Sequence, residues 1–410
     1  MSSPPPNAAR FAPTRFGWAL LAACCAVNVF SRGLGDSFVV FLLPLSETFE
    51  WSRASATAIY GLALMTTGLS GILVGAMVDR FGPRPVLILG LTLLCGAFVS
   101  APYLDSLLHF QLALGLSAGF GVACSGNVVH AGLVGRWFGG RMGMATGLMF
   151  GAPALGVLLM IPLAQTLVEI YGWRQAYHLL ALTLIPAALI VLIFPWGRAL
   201  TRPASSKPAG GDGVAAWTFA RAIRTRAFWA LFGVYFFTSV SMYGLTTQTV
   251  AYLIEMGFEP ITAASAFGAN ALVATLGMFG FGILSDRLGQ RRMGEITFWL
   301  TASGMGLLWL LGHHPSIWLL YAYVLVFGAG QGSRGPIITA LTSRLFAGGS
   351  LGRIYGGITA GFGFGAGVGS WAGGAIHDWT GGYDWVFAFS LAVIMLGWLC
   401  MRTLPRHVQD

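Results

Sequence analysis

Apolar residues run along this chain in long blocks separated by short polar gaps. Twelve such blocks can be read, near 16–45, 55–78, 86–104, 108–135, 142–169, 174–197, 226–255, 262–284, 294–312, 316–343, 353–377 and 384–402. Each is close to the roughly 20 residues that a helix needs to cross the hydrocarbon core of a bilayer. The pattern predicts an all-α membrane protein of twelve transmembrane helices. Composition agrees: of 410 residues 56% are hydrophobic and 9% charged, where a soluble domain carries about 25% charged residues. That leaves too little polar surface for a water-soluble fold.

The blocks repeat. Trp18-Ala19-Leu20 returns as Trp229-Ala230-Leu231, Arg136-Trp137-Phe138 as Arg344-Leu345-Phe346, and Tyr171-Gly172-Trp173 as Tyr383-Asp384-Trp385. Gly75-x-x-x-Asp79-Arg80-x-Gly82-x-Arg84 returns as Gly282-x-x-x-Asp286-Arg287-x-Gly289-x-Arg291 at the same offset of about 210 residues, half the chain. Several landmarks in one order indicate a duplicated unit. The chain therefore divides into two pseudo-symmetric six-helix bundles, 1–197 and 226–410, joined by a linker at 198–225. The Pro/Gly/Ser-rich first part of the linker reads as flexible. Its second part, with Trp217 and Ile223 against Arg221 and Arg224, reads either as a surface amphipathic helix or as a plain connector.

The formal net charge of +9 would suit nucleic acid only on a solvated domain, which is missing here. The placement of the charges says more. Arg80 and Arg84, Arg136 and Arg141, Arg198, Arg202, Lys207, Arg221 and Arg224, and Arg287, Arg291 and Arg292 fall in alternate loops, while the intervening ones hold Arg53 and Arg174. This is the positive-inside bias, which places both termini in the cytoplasm of a cell whose inner membrane holds the protein. The five cysteines lie inside apolar blocks without metal-like spacing and read as small packing residues. The first block is too long for the apolar region of a cleaved signal peptide. With no nucleophile–base pair, metal cluster or phosphate loop, the sequence points away from an enzyme and implies no cofactor.

The motif G-x-x-x-D-R-x-G-x-R, present twice at the same end of the second and eighth blocks, resembles the signature loop of the major facilitator superfamily, and the 6+6 layout is similar to that family over the whole chain. Ser37 to Leu45 with Phe49-Glu50-Trp51, Arg136-Trp137-Phe138 and Gly172-Trp173-Arg174 are similar to bacterial members of its monocarboxylate-porter-like branch. Gly82 and Gly289 permit the tight turns. Asp79 and Asp286 are anions suited to a helix N-terminus of the opposite half, at Gly352 onward and Met142 onward respectively. With Arg80, Arg84, Arg287 and Arg291 they form an expected conformational gate on the cytoplasmic side. The competing reading is that the motif only sets topology.

Charges near mid-membrane are costly and usually functional. Arg32 and Asp36 in the first block and Arg334 in the tenth qualify. The resemblance implies that the first, fourth, seventh and tenth spans line the central cavity. Arg334, among Gly328, Gly330, Gly332 and Gly335 and with no acid in its own block, is expected to hold a carboxylate by paired hydrogen bonds in open space; a structural arginine bonded to carbonyls is the alternative. Arg32 and Asp36, one turn apart, either neutralise each other or act as second anchor and proton carrier. Asn28, Asn127, Tyr243 and Gln248 complete the expected substrate set, and His130 is a second proton candidate. The eighth block lacks the Asp and Arg that better-known proton-coupled lactate carriers place there, so that mechanism does not transfer. The expectation is a monomeric secondary transporter of a small organic anion, a monocarboxylate, coupled to protons. An exporter of lipophilic compounds and a transporter-like sensor are the alternatives.

Overall fold

The computed structural model describes residues 15–138, 142–200, 217–332, 334–346 and 351–404, and for some helical positions, including 282–283, 285–288 and 290–291, the backbone alone. The described residues form helices joined by short turns. In the first half these are α1 (Arg15–Phe49), interrupted at Ser37, and α2 (Arg53–Leu69, continued after a 50° bend by Gly71–Phe81), then α3 (Pro83–Tyr103) and α4 (Leu107–Val134). The helix that begins at Met142 runs through the apolar stretch Gly147–Ile193 as two rods, α5 (142–171) and α6 (173–193), because the chain breaks helical geometry at Gly172, whose φ is +76°. The second half comprises α7 (Arg226–Glu255), α8 (Pro260–Leu288), α9 (Gln290–His313), α10 (Ile317–Gly332 and Arg334–Leu345), α11 (Leu351–Thr380) and α12 (Asp384–Arg402).

By length and apolarity eight of these stretches qualify as membrane spans, nine with the bent α2. The fused α5–α6 stretch, the two-piece α10 and the glycine-rich α11 account for the difference from twelve. The motif glycines do what their position requires: Gly82 and Gly289 take φ of +81° and +85°, a region open to glycine at no steric cost. Pro83 then starts α3 at a position where its missing N–H is no loss.

Inside each half, small residues let helix backbones touch. A Cβ on Gly156 of α5 would stand 2.1 Å from the Val29 carbonyl oxygen of α1, and one on Gly373 of α11 2.2 Å from that of Gly244 in α7. The halves meet along two seams of the same kind. Gly61 and Gly68 of α2 face Gly367 and Gly363 of α11, while Gly147 and Gly151 of α5 face Phe279 and Thr275 of α8. The Ser370 hydroxyl donates to the Thr57 carbonyl across the first seam at 2.9 Å.

The two ends of the bundle differ. At the end away from the termini, the Asp378 carboxylate of α11 accepts the N–H groups of Arg53 and Ala54 at the start of α2, at 2.8 and 2.7 Å. A carboxylate from one half thus caps a helix N-terminus of the other, and the Arg53 guanidinium pairs with Glu255 of α7. At the terminus end, Asp79 is exposed and has no partner among the described residues. Residues 347–350 and the side chains of 351–352, at the start of α11 where Asp79 is expected to make its contact, lie outside the described residues. Arg80 lies over the Phe81 ring, 5.2 Å from its centroid. Arg84 donates to the Leu192 carbonyl at 2.8 Å, a bond within its own half. The side chains of Asp286, Arg287 and Arg291 lie outside the described residues.

The aromatic motifs pack locally. Trp173 donates to Thr48 at 3.0 Å and joins Phe49, Trp51 and Phe110 in one ring cluster. Trp137 donates to the Ala199 carbonyl at 3.0 Å. Residues 201–216 of the linker lie outside the described residues. Beyond them Trp217 meets the Phe346 ring edge-on with Arg221 over its face, so this part of the linker packs on the second half.

Candidate functional site

The interruption of α1 at Ser37 and that of α7 at Gln248 occupy equivalent places in the two halves. Just before the first, Arg32 and Asp36 stand one turn apart with Arg32 Nε donating to Asp36 Oδ2 at 2.8 Å. The second carboxylate oxygen accepts the Tyr60 hydroxyl of α2, also at 2.8 Å. Tyr60 is held flat against Phe38, centroids 5.8 Å apart and planes 4° from parallel. From the other half, Tyr243 of α7 approaches the Arg32 guanidinium. One ion pair with two phenols around it therefore spans the interface between the halves. The Arg32 side chain is 25% exposed and that of Asp36 12%, so the pair is sheltered but reachable.

Asp36, Tyr60 and Tyr243 open onto a cavity of about 90 Å³, completed by Val157 of α5, Thr246 of α7, Phe267, Asn270 and Ala271 of α8, and Tyr323 and Gln331 of α10. Drug-sized ligands occupy sites of roughly 300 Å³ and more, so this space suits a small cargo. Arg32 is not on the wall of this cavity; with Asp36 and Tyr60 it lines a second, narrow cavity inside the first half, together with Gly35, Thr67 and the Leu114–Gly119 region of α4. There α4 is wound as a π-helix over Gln111–Ala118, a departure frequent at functional sites.

The other expected residues are placed differently. Arg334 is 4% exposed and turned into its own half. Its Nη2 reaches the Thr297 carbonyl at 3.0 Å and the Thr301 hydroxyl, both on α9. Its Nη1 lies 3.5 Å from the Met242 sulfur, and its charge sits 4.5 Å above the centre of the Phe298 ring. It does not line the central cavity. Most of the expected open space beside it is filled: although a Cβ on Gly335 would meet nothing within 4 Å, Gly328, Gly330 and Gly332 press against Val273, Thr301 and Ala274. Those glycines make room for neighbouring helices, which corrects the reading of Arg334 as an anchor in an open pocket.

Asn28 donates to Asn127 at 2.7 Å, tying α1 to α4. Gln248 is 1% exposed and donates to the Gly244 carbonyl at 3.4 Å. Neither Asn28, Asn127 nor Gln248 lines the central cavity. His130 is buried within the first half, with neither ring nitrogen partnered among the described residues and no place on the cavity wall. Tyr60, Asn270, Tyr323 and Gln331 escaped the sequence reading. The signal was there for the amides, since Asn270 and Gln331 are polar interruptions in apolar helices. The tyrosines were masked by the chain's many aromatic residues.

Comparison with known proteins sets this site in a family. The Major Facilitator Superfamily model matches residues 25–294 and 255–410. The uncharacterized MFS-type transporter YcxA of Bacillus subtilis is 24% identical over 394 residues, covering 93% of each chain. Human monocarboxylate transporter 11 is 28% identical over 408 residues (95% of this chain, 83% of that one), and bovine monocarboxylate transporter 13 is 26% identical over 401 (95% and 90%). Among solved structures, a bacterial homolog of the human lysosomal transporter Spinster, in an inward-facing and unoccupied conformation, superposes with a TM-score of 0.69 at 16% identity, covering 96% of this chain and 98% of that one. Taken with the duplicated bundles and the central cavity, these matches show that the chain belongs to the major facilitator superfamily, as a transporter of the monocarboxylate-porter-like type.

Proposed function

We propose that this protein moves a small monocarboxylate across the inner membrane by alternating access, together with a proton, and that Arg32 and Asp36 carry the coupling. The observation behind this reading is the Arg32–Asp36 pair, whose Asp36 lines the cavity between the halves while Arg32 stands one turn behind it, approached by Tyr243 of the other half. A charged group at membrane depth is costly unless paired. With Asp36 ionised the pair is self-neutralised and nothing further is needed. A proton on Asp36 removes the partner of Arg32, and a carboxylate then takes its place with charge-assisted hydrogen bonds. The hydroxyls of Tyr60 and Tyr243 stand beside the vacated position as further donors. Cargo and proton enter as a neutral unit, so the site is electrically balanced both empty and fully loaded. A half-loaded site is charged and is penalised when it crosses the occluded stage.

The relatives named for monocarboxylate transport support the cargo class, and the small cavity with the Arg32 guanidinium next to its Asp36 weighs against a lipophilic cation. Termini on the cytoplasmic side follow from the loop charges. The test is uptake of radiolabelled short-chain acids into proteoliposomes, with and without an inward proton gradient. The proposal expects the gradient to accelerate uptake and to drive accumulation. Uptake indifferent to the gradient would remove the coupling. No uptake of any small carboxylate, with efflux of hydrophobic dyes instead, would replace the proposal with an exporter.

A further inference from the structure

The cavity wall opposite the ion pair carries two amide side chains that the coupling does not use. Asn270 of α8 is 6% exposed, and its Nδ2 has no hydrogen-bond partner among the described residues. Gln331 of α10 is partly buried, and its Oε1 is likewise unpartnered. Both face the cavity that Asp36 and Tyr60 enter from the other half. Buried polar groups in native proteins are almost always satisfied, and each exception calls for an explanation. In a membrane-spanning helix the expectation is stronger, because lipid offers no replacement partner. Two such exceptions on one cavity wall are explained if the cargo satisfies them.

We infer that Asn270 and Gln331 form a neutral recognition subsite for a hydrogen-bonding group of the cargo other than its carboxylate. This rests on the reading of Arg32 as carboxylate anchor. The two functions are divided between the halves: the first half reads charge through Arg32, and the second reads a hydroxyl, oxo or amide function through the two amides. An amide side chain offers both a donor and an acceptor, so the pair matches a group that gives or takes a hydrogen bond. An acid with a plain alkyl chain leaves both amides unmet while dehydrating them, which is where discrimination arises.

The test compares a hydroxy or oxo acid with its unsubstituted alkyl counterpart, for example 2-hydroxypropanoate with propanoate and 4-hydroxybutanoate with butanoate. In proteoliposomes the parent is expected to prefer at least one functionalised acid by about tenfold or more, one good hydrogen bond's worth of selectivity. Asn270→Leu and Gln331→Met, near-isosteric changes, are expected to collapse that preference toward unity while gradient-driven uptake of the alkyl acid persists, which also shows that the variants are folded. A preference unchanged in both variants overturns the subsite and leaves the anchor standing. A parent that moves no carboxylate overturns both. Thermal shift of the purified parent gives a check free of mutants: equal stabilisation by each functionalised acid and its alkyl counterpart also contradicts the subsite.

Discussion

Two arginines within apolar helices, the half-buried Arg32 and the buried Arg334, show how little depth in the membrane says about role. Arg32 lies on the interface between the halves, paired to Asp36 and approached by a tyrosine from across the cavity. Arg334 lies inside one half, held by a carbonyl, a hydroxyl and a ring, with no carboxylate among its described neighbours. Arg32 has a partner that can be exchanged; Arg334 has surroundings that cannot leave without unpacking α9 from α10. In a rocking transporter the cargo must be released by a rearrangement between halves, and only a cation at that boundary feels the rearrangement. Arg32 meets that condition and Arg334 does not.

The difference between the two arginines is largest at Arg32. Arg32→Gln removes the charge and strands Asp36, and it should lower proton-driven uptake by about 100-fold or more, the scale expected for loss of one partner in a buried charged pair. Uptake within a few-fold of the parent, at matched reconstitution, would remove Arg32 from the site. Asp36→Asn keeps the shape and discards the titrating group. It should lower gradient-driven accumulation by about tenfold or more while leaving exchange of internal for external acid measurable. Accumulation at the parent level would place the proton elsewhere. Tyr60→Phe deletes one hydrogen bond to Asp36, worth about 1 kcal/mol, and should change the half-saturating cargo concentration by about fivefold.

Arg334→Met should do the least to transport, within about twofold, because nothing on the cavity wall changes. Its effect on stability carries more information. Thr301 already donates to the Thr297 carbonyl at 2.9 Å, so losing the guanidinium orphans neither group, while the cost of burying an uncompensated charge disappears. Replacing buried ionic groups by apolar ones of similar volume is often neutral or stabilising, so the melting temperature in detergent should hold or rise. A fall of several degrees together with lost uptake would return Arg334 to the functional set.

The ends of the bundle offer a parallel contrast. The carboxylate–amide cap of Asp378 on α2 is made, whereas Asp79 at the opposite end is exposed and has no partner among the described residues.

Much of the architecture was legible in the sequence because bilayer thickness imposes block lengths and duplication imposes an offset. The positive φ at Gly82 and Gly289 followed from the motif's turn. Which face of a helix a residue occupies was harder to read. Glycines 328, 330 and 332 suggested space for a ligand, but a missing Cβ also makes space for another helix, and Val273, Thr301 and Ala274 fill it. Asn28 and Asn127, 99 residues apart, satisfy each other across α1 and α4, a pairing that no spacing along the chain announces. The Arg32–Asp36 contact was visible from its i, i+4 spacing. Tyr60 and Asn270 reach the same cavity from α2 and α8, and only the tertiary arrangement brings them there.

The central claim is that a carboxylate replaces Asp36 on Arg32 when Asp36 takes up a proton. The most direct measurement is the pH change of a weakly buffered solution of purified protein, followed with an indicator dye as a transported acid is added at a pH where that acid is fully ionised. The account predicts that a proton is taken up with each anion bound, and that Asp36→Asn binds the acid without this uptake. Saturable binding by the parent with no proton taken up would contradict it.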